Sequence, residues 1–203
     1  WAVRKEQYNG FTNVDEVIEL ARSQFLARKT GTITICDASD VVAAGSTGEN
    51  TKLLKVLLEK AAPMLCYVPL RDALVVDFLW AFPLASVHAI AVGGKLQPLL
   101  NSPLLVKGAI LIKKETNDFG RVIVLDLGHV KLVLTEGAAL ALKPAFYRDL
   151  GLNARKPDVT VVKSFFHFRL FYLFISRKSF YVKTGGITDV DISLTMETND
   201  HVF

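Results

Sequence analysis

The apolar positions divide the chain into two textures. Up to Val92, helical and extended spacings alternate. Thr12-Asn13-Val14-Asp15, followed by Glu16, predicts a helix start, with a polar cap and acids in the first turn where they meet the positive end of the helix dipole. Val14, Val17, Ile18, Ala21 and Phe25 then share one helical face, and Arg28, Lys29 and Gly31 supply the stop. Thr32 to Cys36 reads as a short β-branched strand, and a polar, small-residue loop runs from Asp37 to Asn50. Leu53, Leu54, Leu57 and Leu58 return to helical spacing, which ends near Ala62 before Pro63. Leu65 to Leu70 is predicted as a strand, Asp72 to about Phe82 as a helix, and Val87 to Val92 as a strand. Such alternation is the signature of right-handed βαβ units with at least one parallel pair of strands.

After Gly93-Gly94-Lys95 the texture becomes β-rich. Leu104 to Lys114, Arg121 to Leu127 and Val130 to Thr135 are separated by the turn formers Asn117-Asp118-Phe119-Gly120 and Gly128-His129, which predicts an antiparallel meander. Pro144 at a first helical position, with Phe146, Tyr147 and Leu150 before Gly151, predicts a short helix. Val159 to Val162 reads as a buried strand that runs straight into Lys163-Ser164, and the apolar cluster from Phe165 to Ile175 reads as a buried core element. The expected fold is α/β, a mixed parallel/antiparallel sheet with flanking helices in a single compact domain over residues 1–203.

Composition narrows the classes further. With 51% hydrophobic residues, 22% charged residues and a net charge of +4, the 203-residue chain has neither the polarity nor the charge of a disordered segment. Its basic residues are scattered and gather only in pairs such as Arg4-Lys5, Arg28-Lys29, Lys113-Lys114 and Arg177-Lys178, so a pI near 9.0 does not point to nucleic acid. The mean hydropathy of +0.32 raises the question of a membrane span. The longest stretch free of charged residues, Phe78 to Gly94, contains Pro83, His88 and a Gly pair, and no membrane span is expected. Cys36 and Cys66 sit in apolar runs without a CxxC spacing and read as buried, reduced thiols. Together with an opening that lacks the pattern of a signal peptide, they suit a cytoplasmic protein. The chain opens on Trp1, with methionine only at Met64 and Met196, and the expectation is that an amino-terminal part is missing.

Three places could carry chemistry. The loop from Asp37 to Thr51 follows a strand and opens a helix, a junction whose free N–H groups suit an anion or a carboxylate. It is not a P-loop, because Glu49-Asn50 stands where that motif needs Lys and Ser or Thr. Asp37 and Asp40 could hold a cation, though no His is nearby, and the plain alternative is a glycine-containing crossover with capping hydroxyls. Second, Lys163, Ser164, His167 and Arg169 emerge where a buried strand ends, the usual ligand position in open α/β sheets. If a helix follows at once, Ser164 is its natural cap, with His167 on the same side. No third orienting acid can be assigned by spacing to a Ser-Lys or Ser-His nucleophile, so no catalytic residue is named; the plain reading is a capped helix. Third, Gly93-Gly94-Lys95 is either a simple strand exit or a backbone nest for an anion with Lys95 beside it. The histidines, His88, His129, His167 and His201, are dispersed, and no zinc site is expected within this chain alone.

Taken in order, these blocks resemble the carboxyl-terminal region of the MlrC (microcystinase C) family of metallopeptidase-like proteins. The resemblance rests on Trp1 and Arg4, the DxxD loop of Asp37 and Asp40 leading through Gly48 to Thr51 and a Leu-rich helix, Gly93-Gly94-Lys95, Val133-Leu134-Thr135, and the helix end from Phe146 to Gly151. Its most specific part is Val162-Lys163-Ser164-Phe165-Phe166-His167-Phe168-Arg169. The chain departs from the family pattern at Val41-Val42-Ala43-Ala44, where Asn-Pro-Gly-Gly is typical, and at Glu136-Gly137-Ala138, where Ser-Arg-Arg is typical. The second change reverses local charge and argues against an acidic ligand there.

The resemblance implies a two-part protein. A larger amino-terminal domain, absent from this chain, would hold zinc and its ligands and cleave small or linear peptides. This chain would shape the cleft and be inactive alone. Asp37, Asp40, Thr51, Lys95, Lys163, Ser164, His167 and Arg169 are then the residues expected to contact substrate or brace the metal's surroundings. The implied partners are the missing domain, a peptide substrate and a second copy in a homo-oligomer. The alternative is a non-catalytic binding or assembly domain that mediates interdomain or homodimer contacts.

Overall fold

Helices begin where the sequence offers an acceptor for their free N–H groups. Asn13 Oδ1 accepts from Asp15 N at 2.8 Å to open α1 (Val14–Ser23), and Asp72 Oδ1 accepts from Val75 N at 3.1 Å to open α4 (Ala73–Trp80). The computed structural model describes residues 10–165 and 167–188, and places between and after these helices α2 (Phe25–Thr30), α3 (Lys52–Lys60), α5 (Ala145–Asp149) and α6 (Phe168–Phe171). The strands are β1 (Phe11–Thr12), β2 (Thr32–Asp37), β3 (Cys66–Arg71), β4 (Val87–Val92), β5 (Leu104–Thr116), β6 (Gly120–Asp126), β7 (Val130–Thr135), β8 (Val159–Val162) and β9 (Ser176–Val182). They form one sheet in the order β1-β9-β2-β8-β3-β7-β6-β5-β4. From β1 to β7 every neighbouring pair is parallel, and β7, β6, β5 and β4 are joined by antiparallel pairs. The sheet is therefore mixed, as the change of texture at Gly93 predicts.

Parallel strands must be covered on both faces, and every residue of β2 and β8 is buried. On one face Val17, Ile18 and Ala21 of α1, Leu53, Leu54 and Leu57 of α3, and Val75, Val76 and Leu79 of α4 pack with Ile33, Ile35, Leu70 and Leu132. On the other, Phe146 and Tyr147 of α5 cover Tyr67, Val122, Val124 and Val133, while Phe168 and Tyr172 cover Cys36 and Val162. Burying each large apolar side chain in this way stabilises the fold by roughly 1.5–3 kcal/mol.

β5 connects the two halves. Its Ala109 pairs with Asp126, the last residue of β6, whereas Ser102, just before its start, accepts a hydrogen bond at 2.7 Å from Thr51 Oγ1 in the crossover over the carboxyl edge. The pairing register shifts between Ile110 and Ile112, an irregularity of the kind that bends a strand, and the loop after β4 meets Asp72 at the carboxyl edge of the parallel strands.

Several expectations need correction. The first predicted helix breaks at Gln24 into α1 and α2, because Gln24 leaves helical geometry at φ −83°, ψ 45°. Phe25, expected on the buried face, is exposed with Lys29 Nζ 4.4 Å over its ring. Pro144 is the residue before α5 rather than its first turn, and Ser164 does not cap a helix: α6 starts later, behind His167. The apolar cluster from Phe165 to Ile175 is not a buried element: among its described residues Phe168 and Tyr172 are buried and Phe165 and Ile175 partly so, while Leu170, Phe171, Leu173 and Phe174 are exposed. Strands β1 and β9 were not predicted. No helix among the described residues is long and apolar enough to cross a membrane. Trp1, Arg4, Phe166 and His201 lie outside the described residues.

Candidate functional site: a sealed polar seam on the carboxyl edge

The parallel strands end in polar residues, and the crossover from Asp37 to Thr51 folds over those ends. Asp37 closes β2, Lys163 follows β8, Asp72 follows β3 and Thr184 lies just beyond β9. The structure thus joins residues that are distant in sequence into one seam, and nearly all of it is buried.

At its centre the Lys163 ammonium pairs with Asp40 Oδ2, and the side chains are 3% and 1% exposed. Lys163 Nζ also donates to Gly48 O at 3.1 Å. Asp40 Oδ1 accepts from Ser46 Oγ and from Gly48 N at 3.0 Å, and Oδ2 accepts from Asn50 N at 2.9 Å. One carboxylate therefore gathers three points of its own loop. Burial works to raise the Asp40 carboxyl, but the Lys163 charge and the Ser46 and Asn50 donors outweigh it and hold it below the usual carboxylate range.

Asp37 sits beside this pair with a different balance. Its Oδ1 accepts from Thr184 Oγ1 at 2.8 Å and from Ser39 N at 3.2 Å. Burial pushes its carboxyl up to about 6, with the Asp40 charge adding to the rise while Lys163 and the two hydrogen bonds oppose it. Asn50 ties the seam to α3, since its Oδ1 accepts from Lys52 N at 2.9 Å and its Nδ2 donates to Thr184 Oγ1 at 3.0 Å. The helix start expected to meet an anion is thus met by Asn50, while Thr51 turns to Ser102.

The nest after β4 is also filled from within. Glu49, 1% exposed, accepts from Lys95 N at 2.8 Å, Leu96 N at 2.9 Å and Gln97 N at 2.6 Å. Gly93 at φ 64° makes this close approach, because a Cβ there would lie 2.5 Å from Glu49 O. Lys95 Nζ pairs with Asp72, whose Oδ2 also accepts from Gly93 N at 2.8 Å. A carboxylate within three converging N–H groups is the contact an external anion would make. Here Glu49 makes it.

The candidate residues therefore separate. Asp37, Asp40, Thr51, Lys95 and Lys163 are bound into the seam, and Ser164 is buried beside it with its carbonyl accepting from Cys36 Sγ at 3.3 Å. His167 and Arg169 are exposed, Arg169 lying 5.1 Å over the Tyr181 ring. Sequence reasoning missed the roles of Glu49, Ser39 and Thr184. Glu49 entered only as the residue that breaks a P-loop, and Thr184 follows a strand that was not predicted. Glu136, at the divergent position, accepts from Arg121 N at 2.6 Å and Arg121 Nε at 2.7 Å. Its negative charge therefore has a partner within the sheet.

The residues do not fit a zinc ion. No group of three or more His, Cys, Asp or Glu among the described residues could hold a metal. The seam's carboxylates already accept from protein donors, while His88 lies in β4, His129 in the β6–β7 turn beside Leu57 O at 3.1 Å, and His167 before α6. Cys36 and Cys66 are free and buried.

The fold is a mixed α/β sheet with its polar residues gathered along the carboxyl edge of the parallel strands. Its family is that described as MlrC C-terminus, which matches residues 35–198, and the chain belongs to it. Microcystinase C from Sphingomonas sp. is 26% identical in a match covering 83% of this chain and 34% of that protein. The chain thus spans about a third of the length of that curated relative. A crystal structure of a candidate metallopeptidase from Mesorhizobium sp. BNC1 has the same fold, with a TM-score of 0.81, 24% identity, and 93% of this chain covering 39% of that one.

Proposed function

We propose that this domain is the cleft-shaping part of a zinc-dependent peptide hydrolase of the MlrC type, acting on small or linear peptides, with the metal held outside these 203 residues. The observation that carries the proposal is the separation within one family block: Lys163 is consumed by Asp40, whereas His167 and Arg169, next in the same block, stay exposed. The seam fixes the loops, and His167 and Arg169 are the groups left to meet a substrate carbonyl or carboxylate. Free, buried thiols at Cys36 and Cys66 support a cytoplasmic location as part of this reading.

A second reading draws on the completeness of the seam. Asp37, Asp40, Glu49 and Asp72 each accept from protein donors, which suits an assembly domain without chemistry. Metal analysis of the intact protein separates the two. Near-stoichiometric zinc with peptide hydrolysis abolished by chelation is expected, and a metal-free, inactive intact protein would establish the assembly reading instead.

A further inference from the structure

The segment from His167 to Phe174 is apolar on both sides, yet the fold covers only one. Phe168 and Tyr172 are fully buried against Cys36 and Val162, while Leu170, Phe171, Leu173 and Phe174 are 71%, 40%, 61% and 76% exposed. Large apolar side chains on both sides of so short a helix, interrupted by Arg169, suit a segment lying between two bodies, and four neighbouring exposed apolar side chains form a patch of a kind that marks an interface.

The position of the chain's entry says which body. The described chain enters the fold through β1, which adds to β9 by pairing Phe11 with Tyr181 and Thr12 with Val182. The Phe11 ring lies 6.0 Å from that of Phe165, which in turn lies 5.1 Å from Tyr181, and Arg169 of α6 sits over the same Tyr181 ring. β1, where the described chain begins, therefore lies beside α6. About two thirds of the curated relative's length lies outside the match.

We propose that α6 and the turn after it, residues 167–174, are the docking surface for the polypeptide that precedes β1, with Leu170, Phe171, Leu173 and Phe174 as its apolar anchors. This inference rests on the function proposed above and adds to it. The docked face carries His167 and Arg169, so the contact that covers the patch also carries these two side chains to the partner region.

Cys36 and Cys66 are buried, so a thiol introduced on the patch is read as the labelling gained over the parent intact protein. Leu173→Cys, with Phe174→Cys in parallel, is placed in the intact protein and its maleimide labelling is compared with that of the urea-unfolded protein. Docking predicts labelling slowed roughly tenfold or more at either position, independent of protein concentration. Labelling at the rate of an open thiol overturns the proposal. Protection that disappears on dilution also overturns it, because it identifies a second copy as the occupant. The two readings fail separately: zinc-dependent hydrolysis with freely labelled Cys variants removes the docking surface alone, and protection in a metal-free protein removes the hydrolase alone.

Discussion

Lys163 and Asp40 come from opposite ends of the chain and meet as a fully buried ion pair above the ends of β2 and β8. The pair fixes the crossover loop, because Asp40 also receives Ser46, Gly48 and Asn50, and Lys163 also reaches Gly48 O. Removing one partner leaves the other buried without its counter-charge. Lys163→Met is expected to cost about 3–5 kcal/mol of stability. The double variant with Asp40→Asn should lose less than the sum of the single losses, and urea unfolding of the four proteins measures that coupling.

Asp37 gives a pH dependence of unusual sign. In the folded protein it keeps its proton up to about pH 6, whereas its ordinary value is 3.8. Between these values the folded state binds the extra proton, so the Asp37 contribution falls as pH rises, by on the order of 3 kcal/mol. Asp40 is lowered and acts oppositely: its contribution is present above the ordinary carboxylate range and is lost as pH falls through its folded value. Asp37→Asn should therefore gain stability over the natural sequence as pH rises from about 4 to 6, with a constant difference above that. Chemical denaturation at a series of pH values checks this, and a difference that does not change with pH would refute it.

Two glycines with left-handed backbones should respond differently to alanine. Gly93 has φ 64° and a Cβ there meets Glu49 O and Thr51 Cγ2 at 2.5 Å, whereas Gly45 has φ 95° with nothing within 4 Å. Gly45→Ala should cost about 1–2 kcal/mol, the conformational penalty alone. Gly93→Ala should cost more, since it also expels Glu49 from its nest. Thermal unfolding of the pair gives the comparison.

The thiols should be silent in the folded protein. Burial pushes Cys66 up to about 12 and Cys36 higher, with the neighbouring Asp158 and Asp37 charges adding to each. Neither forms the reactive thiolate at neutral pH. Cys36 and Cys66 should react with a thiol reagent only after unfolding, and rapid reaction of either in native buffer would contradict the burial described.

Local signals made much of the fold legible. β-Branched runs marked β2, β7 and β8, turn formers marked the β6 and β7 boundaries, and Leu spacing marked α3. β9 was not legible because Ser176-Arg177-Lys178-Ser179 breaks its apolar alternation, and its place beside β2 depends on pairing across the whole chain. The site was half legible. Asp37, Asp40 and Lys163 were named as candidates from loop position and strand ends, but spacing says nothing about a contact between residues 40 and 163. Nor does it show that Glu49 answers the nest at Gly93-Gly94-Lys95. Both need the bend in β5 and the placement of β8 between β2 and β3.

His167 decides between a domain that serves a reaction and one that only assembles. It is exposed, it stands in the family block, and no hydrogen bond from its side chain caps α6. Peptide hydrolysis by the intact protein with His167→Ala, measured beside its melting temperature and metal content, is the direct test. The proposed function predicts that turnover falls by roughly tenfold or more while melting temperature and metal content stay unchanged. Undiminished turnover at the same metal content would contradict it.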